Sequence, residues 1–343
     1  MNAYNGDKYD SLRKAIDKLP RQYFCCLPTP LIWCSRLTIV YRGVNIYFKR
    51  DDLTGIGIGG NKNRKLEFIM ADAIEKDATD IITQGATQTN HGCQTSGIAS
   101  RYRLTCHLLL ENRRMNFDEE YLNSGNIFLS KLLNTKLYHY DAKTDMNHEM
   151  EKLADKLRVK GKHPYIIPGG ASNARGAVGY VNCALELIDQ ANNKAIKIHS
   201  IVTATGSSGT QAGLATGLKI IGSDIKVLGI GTNAKEEKQR EKVYKLSKRI
   251  YSFLDFKCDL HKDEILVNCD YIGTGYGNTT EKCIEAIKTV SQLEGIYLDP
   301  IYTGIAMSGL FDLIKKGKYQ KGDNIIFLHT GGQPALWAYK KFF

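Results

Sequence analysis

From residue 62 onward the chain alternates short apolar runs with amphipathic helical patterns, and that alternation restricts its fold more than any other feature. Runs at 80–83, 106–110, 137–140 and 165–167 have the length of buried strands, and helical patterns occupy 64–76, 94–103, 119–133 and 147–160. A second series starts with a helix over 174–190. It continues with strands at 200–204, 227–231 and 325–329 and helices near 209–221, 234–252, 280–294 and 304–316. Such alternation predicts an α/β fold of parallel sheets covered by helices on both faces. Two series predict two parallel-sheet α/β domains, a large one from residues 1–58 and 174–343 and a small one from 59–173. Ligands in such folds sit beyond the carboxyl ends of strands, so the active site is expected in the cleft between the two.

The 343 residues are 43% hydrophobic and 24% charged, ordinary values for a soluble globular chain. The formal charge of +11 raises the question of a nucleic-acid partner. The densest basic run, 235–249, is however interrupted by Glu236, Glu237 and Glu241, as on the wet face of a helix, and no nucleic-acid binding is expected. Nine scattered cysteines, with no Cys-x-x-Cys and no zinc-like spacing, give neither a disulfide framework nor a metal site. Residues 1–10 are polar and lack the apolar core of a signal peptide. No apolar run approaches a membrane span. A reduced, cytoplasmic protein without a membrane partner is expected.

The segment 27–31, with Pro28 and Pro30, cannot be helix interior and reads as extended. A strand at 44–49 then leads through a glycine-rich turn into Gly59-Gly60-Asn61-Lys62-Asn63-Arg64-Lys65-Leu66-Glu67. Leu66, Ile69, Met70, Ala73 and Ile74 follow at helical spacing, so Lys62 sits where a glycine loop becomes a helix. The partial positive charge of a helix N-terminus disfavours an ammonium there, and partial burial acts the same way. A lysine so placed can supply the neutral amine of Schiff-base chemistry. Taken alone it also fits a solvated lysine in a basic helix start. The glycine spacing resembles a Walker loop, but the lysine comes one place late and the metal-binding hydroxyl is missing.

Four further polar stretches are candidate site loops. Residues 83–92 include Thr89, Asn90 and His91 at a helix start, suited to a carboxylate or to simple capping. Residues 204–213 place Gly206, Ser207, Ser208, Gly209 and Thr210 between a strand and a helix, as a phosphate cradle or an ordinary turn. Glycines flank Tyr276 at 271–277 and let backbone and phenol approach a ligand closely. Residues 299–304 carry Tyr302 and Thr303, and 329–332 carry Thr330; Tyr302 and Thr330 also fit buried structural donors.

In this order these stretches resemble the β-family, or fold type II, of pyridoxal-phosphate enzymes, to which the tryptophan synthase β chain belongs. Within it the chain is most similar to D-cysteine desulfhydrase and 1-aminocyclopropane-1-carboxylate deaminase. The resemblance implies pyridoxal 5'-phosphate as cofactor, bound by the large domain, with Lys62 as its Schiff-base lysine and as base at the α-carbon. It gives the cofactor's phenolic oxygen to Asn90, the phosphate to Gly206, Ser207, Ser208, Gly209 and Thr210, and the pyridine nitrogen to Thr330. Thr89, Asn90 and His91 would receive the substrate carboxylate, and Tyr276 and Tyr302 would face the substrate. Deaminases typically carry Glu at the position of Thr303 and Leu at that of Thr330. The resemblance therefore implies a homodimeric lyase that releases hydrogen sulfide, pyruvate and ammonia from D-cysteine, the alternative being the deaminase or another D-amino-acid lyase. Cys93, after Gly92, and Ile305 depart from the pattern beside matched residues.

Overall fold

The computed structural model describes residues 2–113 and 119–343. In chain order the strands are β1 (Leu31–Trp33), β2 (Asn45–Lys49), β3 (Asp80–Ala86), β4 (Thr105–Glu111), β5 (Lys136–Tyr140), β6 (Pro164–Ile167), β7 (Ser200–Thr205), β8 (Lys226–Gly231), β9 (Leu266–Asn268) and β10 (Asn324–Leu328). The middle group forms a four-stranded sheet, β5-β4-β3-β6, while the outer groups interleave in a six-stranded sheet, β1-β2-β10-β7-β8-β9. Every pairing is parallel except the edge pair β1–β2. The expected α/β class with two parallel sheets is therefore present. None of the helices among the described residues is long and apolar enough to cross a membrane. We propose the division at 58/59 and 173/174 as the domain boundary; each sheet's strands fall on one side of it.

Some elements differ from the expectation. The short edge strands β1 and β9 and a helix at Ser35–Val40 are too brief for periodicity to reveal. The single helix expected over 119–133 is two, Glu119–Asn123 and Gly125–Leu132. Gln88 causes the break: its amide nitrogen donates to the carbonyls of Tyr121 and Ser124 at 2.6 and 3.0 Å, and its amide oxygen accepts from the Asn126 N–H. A side chain from another loop thus occupies the groups that a continuous helix would pair internally.

The helix Asn61–Glu75 lies between the two sheets and is buried on nearly every side. Phe68 packs with Val178, Val181 and Leu185 in the core of the larger sheet. Leu66, Ile69, Met70 and Ala73 pack with Ile81, Ile98 and Ile167 in that of the smaller. Lys62, in its first turn, is consequently held by both halves of the molecule.

The same helix carries a buried ion network. Arg64, 1% exposed, donates to Asp51 through Nε and Nη2 at 2.8 and 2.9 Å, and to Glu186 through Nη1 and Nη2 at 2.9 and 2.8 Å. Lys49, fully buried, pairs with Glu186 and donates to the Thr29 carbonyl at 2.7 Å. Tyr180 donates to Asp51 at 2.5 Å. Burial alone would raise the Glu186 carboxyl, but Arg64 and Lys49 outweigh it and hold the group at about 2. With its folded value below the usual 4.5, Glu186 contributes stability at neutral pH that is lost as pH falls through about 2.

Removing one partner of such a network strands the others without water. Arg64→Met should therefore cost about 3–5 kcal/mol, read as a lower urea midpoint. Arg158→Ala, which breaks the exposed pair with Asp155, should barely move it. Equal shifts in the two variants would contradict this account.

Candidate active site

The glycine turn before Lys62 exists because other backbone comes close to it. Gly60 has φ +130°, and a Cβ there would lie 2.5 Å from the Gln94 amide. On its other side the chain meets the loop after β10: the Asn61 N–H donates to the Thr330 carbonyl at 3.0 Å. Gln94 also accepts the Lys62 N–H at 3.1 Å. Lys62 Nζ donates to Asn61 Oδ1 at 2.7 Å, and Asn61 Nδ2 donates to Thr210 Oγ1 at 2.8 Å. Burial lowers the Lys62 ammonium from 10.5 to about 8, with Asp299 pulling the other way. The residue keeps some exposure, through the cavity that it faces.

One end of that cavity is the loop after β7, with Gly206, Ser207, Ser208 and Thr210 on its wall. Ser208 is left-handed, at φ +77°, and opens the helix Gly209–Ile220 without a side-chain cap. Such a turn presents first-turn N–H groups that have no partner within the helix. Two side chains fix it from behind: Ser172 donates to Ser207 Oγ at 2.9 Å and Gln239 to Ser208 Oγ at 3.2 Å. Lys65, fully buried, bonds only neutral oxygens, of Gly170 and Ser172 at 3.2 Å, and burial followed by Lys62 pushes its ammonium well below its usual range. A Cβ on Gly209 would lie 2.9 Å from its Nζ. Among the described residues, none that lines this end is acidic.

The helix Asn90–Arg101 supplies the second polar wall. Thr89 caps it, accepting the Gly92 N–H at 3.2 Å, and also borders the cavity. Asn90 Oδ1 accepts from Asn126 at 2.7 Å, which turns the Asn90 amide nitrogen toward Gly332. The His91 side chain is engaged elsewhere: Nε2 faces Thr83 Oγ1 at 2.7 Å and Nδ1 faces Thr95 Oγ1 at 3.4 Å. Burial, then Lys62 and Lys65, keeps the imidazole well below its usual range and so neutral. What His91 offers an anion is its first-turn backbone N–H.

Tyr276 and Tyr302 close the opposite side, their hydroxyls 2.5 Å apart. Burial raises both, Tyr302 to about 12, so both phenols are protonated at neutral pH. Tyr302 follows a tight acidic knot. Asp299, wholly buried, accepts from the N–H groups of Ile301, Tyr302 and Thr303 and from Thr303 Oγ1 at 2.7–3.0 Å. Thr303 Oγ1 in turn accepts the Asp299 N–H at 2.7 Å. The Thr303 hydroxyl is thus used within the loop, whereas Thr330 lies on the cavity wall with Lys62.

The structure therefore gathers Lys62, Thr89, Asn90, His91, the 206–210 loop, Tyr276, Tyr302 and Thr330 around one chamber. A family model described as pyridoxal-phosphate dependent enzyme matches residues 24–331. The chain belongs to that family. Its cofactor is pyridoxal phosphate. Among solved structures it is similar to an ACC deaminase homologue at 35% identity, covering 97% of this chain and 98% of that one with a TM-score of 0.88. Two others share the fold at lower identity. A hydrogen sulfide-producing enzyme from Fusobacterium nucleatum is 20% identical, covering 93% and 98% at a TM-score of 0.63. Threonine deaminase isoform 2 from Solanum lycopersicum is 18% identical, covering 96% and 87% at 0.64.

The residues of this pyridoxal-phosphate enzyme fit the cofactor. A depressed amine faces the chamber, and an uncapped helix start beside a buried lysine bonded only to neutral oxygens suits a phosphate. Sequence reading missed the groups that orient these: Asn61, Lys65, Gln94, Asn126, Ser172 and Asp299. Asn61 and Lys65 lie in the conspicuous lysine stretch, but the partners of the others are visible only in three dimensions. The two departures fall outside the chamber. Cys93 is 1% exposed and burial raises its thiol to about 12, making it inert. Ile305 packs in the apolar core beside Val202 and Ile230. A Cβ on Gly92 would meet Leu108 at 2.6 Å, so the glycine there serves helix-on-strand packing.

The lowered amine sets a pH dependence. Only the neutral form attacks an aldehyde, and its fraction rises as pH climbs through about 8. The rate at which apoprotein captures added pyridoxal phosphate, followed by visible absorbance, should half-rise near that pH. A half-rise near 10.5 would show that Lys62 is unperturbed.

Proposed function

We propose that this enzyme is a lyase that eliminates hydrogen sulfide from D-cysteine, leaving pyruvate and ammonia. One observation carries the reading. The chamber is lined by neutral hydroxyls and amides and by cations, with no carboxylate among the described residues on its wall. Thr303, where the deaminase pattern has a carboxylate, is bonded to Asp299 and turned away. When bound, the cofactor serves as the electron sink for charge developing at the substrate α-carbon. A neutral hydroxyl such as that of Thr330, were it to meet the pyridine nitrogen, would favour prompt loss of a β-substituent over full delocalisation.

The remaining work falls to the chain's own residues. Lys62 Nζ, held by Asn61, takes the α-proton. The 206–210 loop and Lys65 would hold the phosphate, and Asn90, oriented by Asn126, would donate to the cofactor's phenolic oxygen. The first-turn N–H groups after Thr89 receive the substrate carboxylate. Tyr276 and Tyr302 are coupled donors: one hydroxyl bonds the other, which leaves one O–H for the departing sulfur. An exposed apolar groove containing Ile58, Phe128, Leu129 and Trp337 supports the homodimer that the resemblance implies.

Ring opening of the cyclopropane substrate is the competing reading, favoured by the similarity to an ACC deaminase homologue. That substrate has no α-proton for Lys62 to remove. The purified enzyme should give sulfide and pyruvate from D-cysteine and accept β-chloro-D-alanine. It should leave L-cysteine and the cyclopropane substrate nearly untouched, and Lys62→Ala should abolish turnover. Efficient 2-oxobutyrate formation without sulfide would overturn the assignment, and preference for L-cysteine its stereochemistry.

A further inference from the structure

Beyond the two tyrosines the chamber, about 260 Å³ in volume, ends in a basic wall formed by Arg113 and Lys242. They come from opposite halves of the fold, Arg113 just after β4 and Lys242 from the helix Glu236–Phe253. The Arg113 guanidinium stands 5.6 Å from the centre of the Tyr276 ring. Its Nε donates to Glu111 at 2.5 Å, and Glu111 is fixed in turn by the Lys143 N–H at 3.0 Å. Arg113 is therefore oriented from behind by a carboxylate that does not itself line the chamber. Lys242 is crowded by burial and by Lys238 and Arg113, and its ammonium is lowered. Gln84 and Asn233 complete this wall. Two cations thus line one wall, and no carboxylate among the described residues lines it with them. The substrate α-carboxylate does not need it, because the Asn90 helix start already serves that group. Nor does a thiol, which is mostly neutral at pH 7.

We propose that Arg113 and Lys242 receive a negatively charged β-substituent, so that the enzyme also eliminates oxyanion leaving groups, a sulfonate or a phosphate monoester, from D-amino acids. This rests on the elimination reading above and extends its substrate class. Lys62 takes the α-proton, and the Cβ–S or Cβ–O bond breaks with its electron pair leaving on sulfite or phosphate. The dehydroamino acid then takes up one water to give pyruvate and ammonia.

The test compares the holoenzyme on D-cysteate, O-phospho-D-serine, D-cysteine and D-serine. The charged substrates should show the higher kcat/KM within each matched pair, and their KM alone should rise with salt. Arg113→Gln and Lys242→Gln should each lower the charged-to-neutral ratio of kcat/KM by about tenfold, as for loss of one charge-assisted hydrogen bond. The shift of the visible band on titration with D-cysteate gives a binding readout independent of turnover. Sulfide release from D-cysteine with no band shift and no reaction of D-cysteate would overturn this proposal and leave the D-cysteine assignment standing. No sulfide from D-cysteine, with a D-cysteate response that both variants weaken, would sink the D-cysteine assignment and support the anion site. Equal losses on charged and neutral substrates in both variants would mean that the cations only shape the wall, and would also overturn it.

Discussion

Arg64 is a guanidinium with almost no access to water, and the placement of the lysine two residues before it depends on how that charge is neutralised. Asp51 and Glu186 grip it from two sides, and Lys49 and Tyr180 complete the cluster. These groups come from the end of β2, from the lysine helix itself and from the helix Ala174–Asn193. Two cations and two carboxylates balance, so no net charge is left in the interior, and each has several bonds to offset its desolvation. Shifting the lysine helix along its axis would break these bonds together. An apolar core could give comparable stability, but it would tolerate such sliding more readily.

Close backbone contact does the rest of the positioning. Gly60 and Gly331 lie so near one another that a Cβ on Gly331 would stand 2.8 Å from the Gly60 Cα. The loop before Lys62 and the loop after β10 are thereby joined, which brings Thr330 to the lysine. Glu67, one turn beyond Arg64, accepts the N–H groups of Phe24 and Cys25 at 3.0 and 2.8 Å and pins the N-terminal segment to the same helix. One helix therefore carries, in succession, a bridge to the loop after β7 at Asn61, the amine, the buried ion cluster and the anchor of the N-terminal segment.

Much of this was legible because local rules and the tertiary structure agree. The strand and helix alternation, the helix start at Asn61 and the turn after β7 all follow from periodicity and glycine placement. The polar stretches read as loops do line one chamber. What escaped reading depends on groups far apart in the chain. Gln88 splits a helix more than thirty residues downstream, and no pattern within 119–133 announces it. Thr303 stands in a candidate site loop, and only the fold shows its hydroxyl spent on Asp299 four residues earlier. Arg113 and Lys242 look like ordinary surface cations until β4 and the helix Glu236–Phe253 set them on one wall. Lys49, Asp51 and Arg64 are plain charges in the sequence, and only the fold brings them with Glu186 into one buried cluster.

The electrostatics of the chamber favour an anion more strongly than any single residue does. Burial lowers both Lys62 and Lys65, Lys62 lowers Lys65 further, and neither is bonded to a carboxylate among the described residues. Asp299, whose charge acts on Lys62, is wrapped in backbone N–H groups, and its charge is largely directed into its own loop. Buried amines without counter-ions are costly as cations and so tend toward the neutral form. A phosphate beside the start of the helix Gly209–Ile220 would reverse that balance for Lys65, returning it to an ammonium with a partner. Lys62 is separated from Thr210 by Asn61, which bonds both, and faces the cavity. The two lysines, three residues apart on one helix, thus share a burial that drives both toward the neutral amine until an anion is supplied.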